Sequence, residues 1–191
     1  MTNQLVKEIL DVFSNDGKEY LGVESRNIVH SKGLWHKTVH LWIRNKNGDL
    51  LLQKRAPDKE THPDMWDISC AGHVGAGDST KNAAVRECAE ELGLEIDPED
   101  LLRIEQLFRT YLNEDNSLID NEITDVFILD RTVELSEITP DGSEVTAVKF
   151  ISVKEFEARC FYEREVFVPH DQEYQLLFSY LRAKYLKNNQ I

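Results

Sequence analysis

The chain predicts an α+β fold, read as an α/β/α sandwich, on three observations. Strand-like runs interleave with few helical ones along its 191 residues. The segment Gly72 to Leu94, GHVGAGDSTKNAAVRECAEELGL, reads as a glycine-bearing loop that feeds a capped helix. The C-terminal run QEYQLLFSYLRAKYL places Tyr174, Leu177, Leu181 and Tyr185 at helical spacing, an apolar stripe suited to packing on a core. A chain of this length is expected to form one domain with a full hydrophobic core. It divides into an N-terminal hairpin extension (1–33), a central domain (34–170) and a C-terminal helix packed on it (171–191).

The elements follow in order. EILDVF and EYLGV flank Asn15-Asp16-Gly17 and predict a short hairpin, because such a turn tolerates positive φ. KTVHLWIRN and DLLLQKRA flank Asn47-Gly48 and predict a second hairpin, the first strand half-buried and the second buried. Residues 56–69, with Pro57 and Pro63, read as a loop. Asp78, Ser79 and Thr80 are N-cap candidates for the central helix, which Gly93 ends. Leu101 to Leu112 and EITDVFILDRTVEL read as strands joined by a turn at Asn113 to Ser117. EVTAVKFI is a further strand, and Ser152 with Glu155 forms a capping box for a short helix, VKEFEA.

Composition excludes several functional classes. A net charge of −13 gives no basic face for nucleic acid, and there is no polybasic run for a membrane surface. No segment approaches ~20 consecutive apolar residues, and the polar start MTNQLVKEILDVFSNDGKEYLG carries no secretory signal. Cys70, Cys88 and Cys160 are odd in number and lack CxxC spacing, which points to reduced thiols and a cytoplasmic location. The partners expected are a small-molecule substrate and, at most, a second copy of the chain.

The central helix poses an electrostatic problem. At ~100° per residue, Glu87, Glu90 and Glu91 fall on one face, within the last turns where the helix dipole is negative. Glu87 and Glu91 are like charges at i,i+4. Arg86 supplies a single positive charge, so a hard divalent cation is the natural remaining partner.

The same segment resembles the Nudix box, Gly-x5-Glu-x7-Arg-Glu-U-x-Glu-Glu-x-Gly-U with U apolar. Gly72, Arg86, Glu87, Glu90, Glu91 and Gly93 match, while Asp78 stands where the family has Glu. The resemblance implies a mixed-sheet α/β/α sandwich and Mg²⁺- or Mn²⁺-dependent attack of water on a diphosphate linked to another group. It implies metal binding by Glu87, Glu90 and Glu91, orientation of those glutamates by Arg86, and close backbone approach at Gly72, next to His73. Asp78 reads as a helix cap with no metal role.

A wider similarity covers about Asn27 to Phe156. GLWHKTVHLWI, GDLLLQKRA, WDISCAGHV, LIDNEITDVF and SEVTAVKFISVKEF are similar to the subgroup that contains type I isopentenyl diphosphate isomerases and related hydrolases. By position this implies a second metal site at His36, His73, Asp120 and Glu122. His30 is spaced slightly differently, and His30 and His40 read as surface or strand-face histidines. Those isomerases use a cysteine directly before the glycine. Here that residue is Ala71, and Cys70, one position earlier, faces the other side of an extended chain. The reading is therefore a metal-dependent hydrolase of a nucleoside diphosphate linked to another moiety, or of a similar small diphosphate. Glu90, Glu91 and Glu122 are its general-base candidates. The alternatives are an isopentenyl diphosphate isomerase and a non-catalytic nucleotide-binding module.

Overall fold

In a computed structural model, residues 8–113 and 118–188 are described, the last four by backbone alone. The turn expected at Asn113 to Ser117 falls mostly outside these residues, as do the first seven residues and the Tyr185 side chain. The N-terminal hairpin forms as predicted: β1 (Ile9–Phe13) and β2 (Tyr20–Ser25) pair antiparallel, with Gly17 at φ 70° in the turn. A helix without a sequence counterpart follows, α1 (Arg26–Lys32), closed by Gly33 in the left-handed conformation.

Strands β3 (Trp35–Arg44) and β4 (Leu50–Arg55) leave the Asn47-Gly48 turn and diverge, pairing only at Arg44 and Leu50. The predicted hairpin is thus real at its turn and open beyond it. Ser69 sits in the fork, accepting the Ile43 N–H at 2.8 Å and donating to the Leu51 carbonyl at 2.7 Å. Strand β6 (Cys70–His73) pairs with β3, whereas β4 pairs with β5 (Trp66–Asp67) and with β9 (Val145–Ile151). The stretch 56–69, expected as loop, therefore contributes a two-residue strand.

Strands β7 (Leu102–Leu112) and β8 (Ile119–Asp130) are antiparallel to each other, and β8 runs parallel to β3. The sheet is mixed for that reason. Strand β8 was expected to reach Leu135 but stops at Asp130, and a 3-10 turn forms over Leu135–Glu137.

Helix α2 (Thr80–Leu92) is capped by Ser79, which accepts the Asn82 N–H at 3.1 Å, and ends at Gly93 with φ 66°. Asp78 is not the cap. It accepts the Ser79 N–H one residue earlier, because Ser79 already occupies the position from which a side chain reaches the third helical residue. Helix α3 (Val153–Arg159) has half of its predicted box: Ser152 accepts the Glu155 N–H, while the Glu155 carboxylate turns to Arg159. Helix α4 (Asp171–Asn188) closes the chain.

Period-two alternation along the strands splits the core into two layers. Val39, Leu41, Ile43, Phe127 and Leu129 pack against Ala83, Ala84, Cys88 and Leu92 of α2. Trp42, Leu52, Val126 and Ile128 pack on the other face against Phe156 of α3 and Tyr174, Leu177 and Leu181 of α4. The three cysteines are buried and free. Among the described residues, no helix is long and apolar enough to cross a membrane.

Candidate active site

The sheet opens a cleft of about 980 Å³ between the N-terminal part of the chain, α2 and the start of α4. Its first wall is a histidine–carboxylate cluster. Parallel pairing places His36 of β3 opposite Glu122 of β8, and alternation puts Asp120 on the same face as Glu122. His73 of β6 and His30 of α1 complete the group. The rings of His30, His36 and His73 lie 5.2 Å apart, centroid to centroid, in all three pairings. His30, read from the sequence as a surface histidine, therefore belongs to the cluster. It is carried inward by helix α1, which the sequence reading did not foresee.

Three atoms of this cluster are buried without a hydrogen-bond partner: His30 Nε2, His36 Nε2 and Asp120 Oδ1. The carboxylate oxygen lies 3.6 Å and 3.5 Å from the two nitrogens, too far to bond them. His36 Nδ1 donates to the Leu34 carbonyl at 3.0 Å, which fixes its tautomer and leaves Nε2 as a lone-pair donor aimed into the cluster. Burial, and then His73 beside them, lowers His30 and His36 to about 4, so both are neutral, the form that ligates metals. Burial and then Glu122 raise the Asp120 carboxyl to about 7. A buried polar atom left unpaired costs ~1–3 kcal/mol. Three converging imidazole and carboxylate donors in that state fit a divalent ion such as Mn²⁺, Mg²⁺ or Zn²⁺.

The second wall is the end of α2. Glu87 lies against β6 where only glycine leaves room: a Cβ on Gly72 would sit 2.1 Å from the Glu87 carboxyl carbon. Arg86 Nη1 donates to Glu87 at 2.8 Å and to Glu90 at 2.9 Å, and Nη2 donates to the His73 carbonyl at 2.9 Å. One guanidinium thus ties both glutamates to the β6 backbone. Glu91, only 7% exposed, lies behind this wall and accepts from Gln53 Nε2 at 3.2 Å and the Ala71 N–H at 3.3 Å. Burial pushes Glu87 up to about 6, and burial with the Glu87 charge pushes Glu91 up to about 8. Arg86 compensates Glu87 in part, whereas no ion pair is seen for Glu91 among the described residues, and oxygen donors suit Mg²⁺ or Mn²⁺. Among the described residues, however, only the histidine–carboxylate cluster already brings three such groups within ligand distance of one another. Glu90, 61% exposed, points to Arg86 instead of to Glu91.

The Gly72 contact makes a clear prediction. Glycine is not needed there for its backbone angle, since Gly72 is absent from the positive-φ residues. In Gly72→Ala the three atoms nearest the added methyl all belong to the Glu87 side chain, from Cγ to Oε1, which must swing away from β6. Thermal unfolding is therefore expected to change little, within about 1 kcal/mol, while Mn²⁺ affinity at the α2 glutamates falls at least tenfold. Unchanged Mn²⁺ binding by calorimetry would contradict this.

The far end of the cleft holds residues that carry no sequence motif. Asp67 of β5, Arg109 of β7, and His170 and Glu173 at the start of α4 form a buried polar network with His40. Burial acts to raise Asp67, but His170 and Arg55 outweigh it and hold the carboxyl well below the usual range. Glu173 is likewise pulled down to about 2 against its burial, chiefly by His40. Beside the network, His62 adopts φ 47° and its ring lies 5.3 Å from that of Tyr111. Alternation along β7 (Leu107, Arg109, Tyr111) was the available signal for two of these positions. Of the other aromatic residues on the strands, Trp42 is core, Trp66 is partly buried under Lys149, and Trp35 packs on Phe108.

A family model for the NUDIX domain matches residues 34–171. Nudix hydrolase 3 of Arabidopsis thaliana is 34% identical over 185 residues, which is 94% of this chain but 24% of that protein, so the chain spans about a quarter of its length. Isopentenyl-diphosphate Delta-isomerase of Pectobacterium atrosepticum is 31% identical over 173 residues, covering 90% of this chain and 89% of that one. Among solved structures, DR0079 from Deinococcus radiodurans superposes with a TM-score of 0.66 at 20% identity, covering 88% of this chain and 98% of that one, a likeness of fold.

Proposed function

This chain belongs to the Nudix family, and on that premise we propose that it hydrolyses the diphosphate bond of a nucleoside diphosphate linked to another moiety, or of a similar small diphosphate, using Mg²⁺ or Mn²⁺. The observation that carries hydrolysis over isomerisation is the register of β6. Ala71 lines the cleft, at the position where the similar isomerases have their cysteine. Cys70 is fully buried among Val39, Leu41 and Cys88, and burial, then Glu91, push its thiol well up. A thiol in that position cannot exchange a proton with a substrate in the cleft. An intact set of carboxylates disfavours the reading as a mere binding module.

Glu87, Glu90 and Glu91 would hold one ion and His30, His36, His73, Asp120 and Glu122 a second. When bound, such ions neutralise phosphoryl charge and lower the pKa of a bound water. Arg86 keeps Glu87 and Glu90 against β6. Glu90, Glu91 and Glu122 are the carboxyls open to the general-base role, and burial, then the Glu87 charge, raise Glu91 to about 8. The cleft is lined chiefly by charged and polar side chains, with the His62–Tyr111 pair at its far end. That suits a sugar and a planar ring better than a short alkenyl chain. Three buried free cysteines accord with the cytoplasmic location inferred from their number. The single-subunit or homodimeric state belongs to the same reading.

A screen of diphosphate compounds with Mg²⁺ and Mn²⁺, reading phosphate release, tests the proposal. Metal-stimulated release from at least one nucleoside diphosphate derivative is expected. Isopentenyl diphosphate is expected to come back unchanged by proton NMR. Isomerisation without hydrolysis of any compound would refute the proposal.

A further inference from the structure

Arg109 stands in a row that crosses three strands, His36 of β3, Glu122 of β8 and Arg109 of β7, each directly opposite the next. Its guanidinium, 25% exposed, reaches the cleft. Its nearest polar partners are imidazole nitrogens: Nη1 lies 3.1 Å from both ring nitrogens of His40, over the face of that ring, and Nη2 bonds His170 Nδ1. His170 Nδ1 must accept, and its surroundings make it an acceptor. His40 Nδ1 is 2.7 Å from Glu173, and His170 Nε2 is 2.8 Å from Asp67. A carboxylate can only accept, so those two nitrogens carry protons, and His170 Nδ1 keeps a lone pair for Arg109.

The plainer role is a counterion for buried carboxylates, and Arg109 does lie within ion-pair range of Glu122 and Glu173, but it hydrogen-bonds neither. Glu173 also takes the Trp42 indole N–H at 2.8 Å, and Asp67 takes Arg55 Nη1 at 3.1 Å and the Ile68 N–H at 2.8 Å. Both are satisfied without Arg109, which stays 3.7 Å from Glu173 and 3.9 Å from Glu122, beyond hydrogen-bond reach. The two imidazoles fix the direction of the guanidinium, while the carboxylates balance its charge without taking its N–H groups. Of its five N–H groups, one bonds His170 and one lies over the His40 ring, leaving a pre-oriented guanidinium with donors to spare. Burying two carboxylates and two histidines to hold one arginine is a costly arrangement that packing alone does not require. A planar fork of that kind matches phosphoryl oxygens.

We propose that Arg109 binds a non-bridging oxygen of the substrate diphosphate, on the phosphoryl group farther from the His30–His36–Asp120 cluster, and so sets which diphosphates the cleft accepts. Neighbouring strands are ~4.8 Å apart, so a diphosphate with one end at Glu122 places its other phosphoryl group beside Arg109. The proposal rests on the hydrolase reading, but its test does not read hydrolysis. The probe is methylenediphosphonate, a diphosphate mimic that cannot be hydrolysed, titrated calorimetrically into the full chain with Mg²⁺. Wild type is expected to bind, Arg109→Gln to bind at least tenfold more weakly, and Arg109→Lys three- to tenfold more weakly because charge remains but the fork is lost. Circular dichroism checks folding, and if Arg109→Gln does not fold, Arg109→Lys decides alone. No binding by wild type, or equal binding by wild type and the folded variants, overturns the assignment. Loss of binding in the variants, with no diphosphate compound hydrolysed by wild type, would leave Arg109 as an anion site and remove only the catalytic reading. Hydrolysis with unchanged binding would do the reverse.

Discussion

Replacing Glu91 with glutamine is expected to abolish phosphate release and, in chelator-treated protein, to raise thermal stability at alkaline pH. The first effect follows from its place among the α2 carboxylates, where loss of a ligand or of a general base costs about 10²–10⁴-fold. The second follows from linkage. Glu91 is held at about 8 in the folded protein, against 4.5 for an ordinary glutamate, because burial and the Glu87 charge disfavour ionisation. Between those two values the folded chain binds the proton more tightly than the unfolded chain does. Stability therefore falls as pH rises through that window, and the cost is complete above the folded value. Its size is about 5 kcal/mol, or very roughly 10–20 °C for a domain of this length. Glutamine keeps an acceptor for Gln53 and the Ala71 N–H and carries no charge. Wild type and Glu91→Gln should thus unfold at similar temperatures at pH 4 and diverge towards pH 9, with the variant higher. Undiminished turnover would remove Glu91 from the chemistry, and parallel melting curves across pH would refute its buried, uncompensated state.

The positions of the α2 carboxylates were legible in the sequence because every link in the argument is local. Helical periodicity puts Glu87, Glu90 and Glu91 on one side, and Ser79 and Gly93 mark the ends. The strands of the sheet were legible for the same reason, from period-two patterns and the Asn-Gly and Asp-Gly turns. What the pattern could not give was pairing. The divergence of β3 from β4 depends on Ser69, twenty-six positions from the Ile43 amide it binds, and no local rule predicts that. His30 was misplaced because Arg26–Lys32 has a weak helical signature of seven residues, whose clearest marker is Gly33 at the far end. The network of Asp67, Arg109, His170 and Glu173 was missed entirely. Its members are up to 106 positions apart, and each taken alone resembles an ordinary surface charge. Asp120 and Glu122 were found through resemblance, and β8 pairing supplies the physical reason they meet His36.

Stripping the protein of metal with a strong chelator is expected to lower its unfolding temperature by about 10 °C, and Mn²⁺ is expected to restore it. The unsatisfied His30 Nε2, His36 Nε2 and Asp120 Oδ1 set the sign. Each was desolvated on folding without gaining a partner, so a ligand that reaches them binds the folded chain and not the unfolded one. At a free ion concentration about a thousandfold above Kd, that preference is worth ~4 kcal/mol, and a domain of this size gains ~2–4 °C per kcal/mol. The α2 glutamates contribute less here, because Arg86 already occupies Glu87 and Glu90. The effect should therefore follow the histidines. In His36→Gln the Mn²⁺-dependent rise is expected to shrink to a third or less, while Glu90→Gln keeps most of it. Acid should abolish the rise as well. His30 and His36 titrate at about 4 in the folded chain, so below that pH both nitrogens carry protons and lose their lone pairs to the solvent. A Mn²⁺ effect that survives His36→Gln and vanishes in Glu90→Gln would move the stabilising ion to α2. It would leave the three unpaired atoms without an explanation.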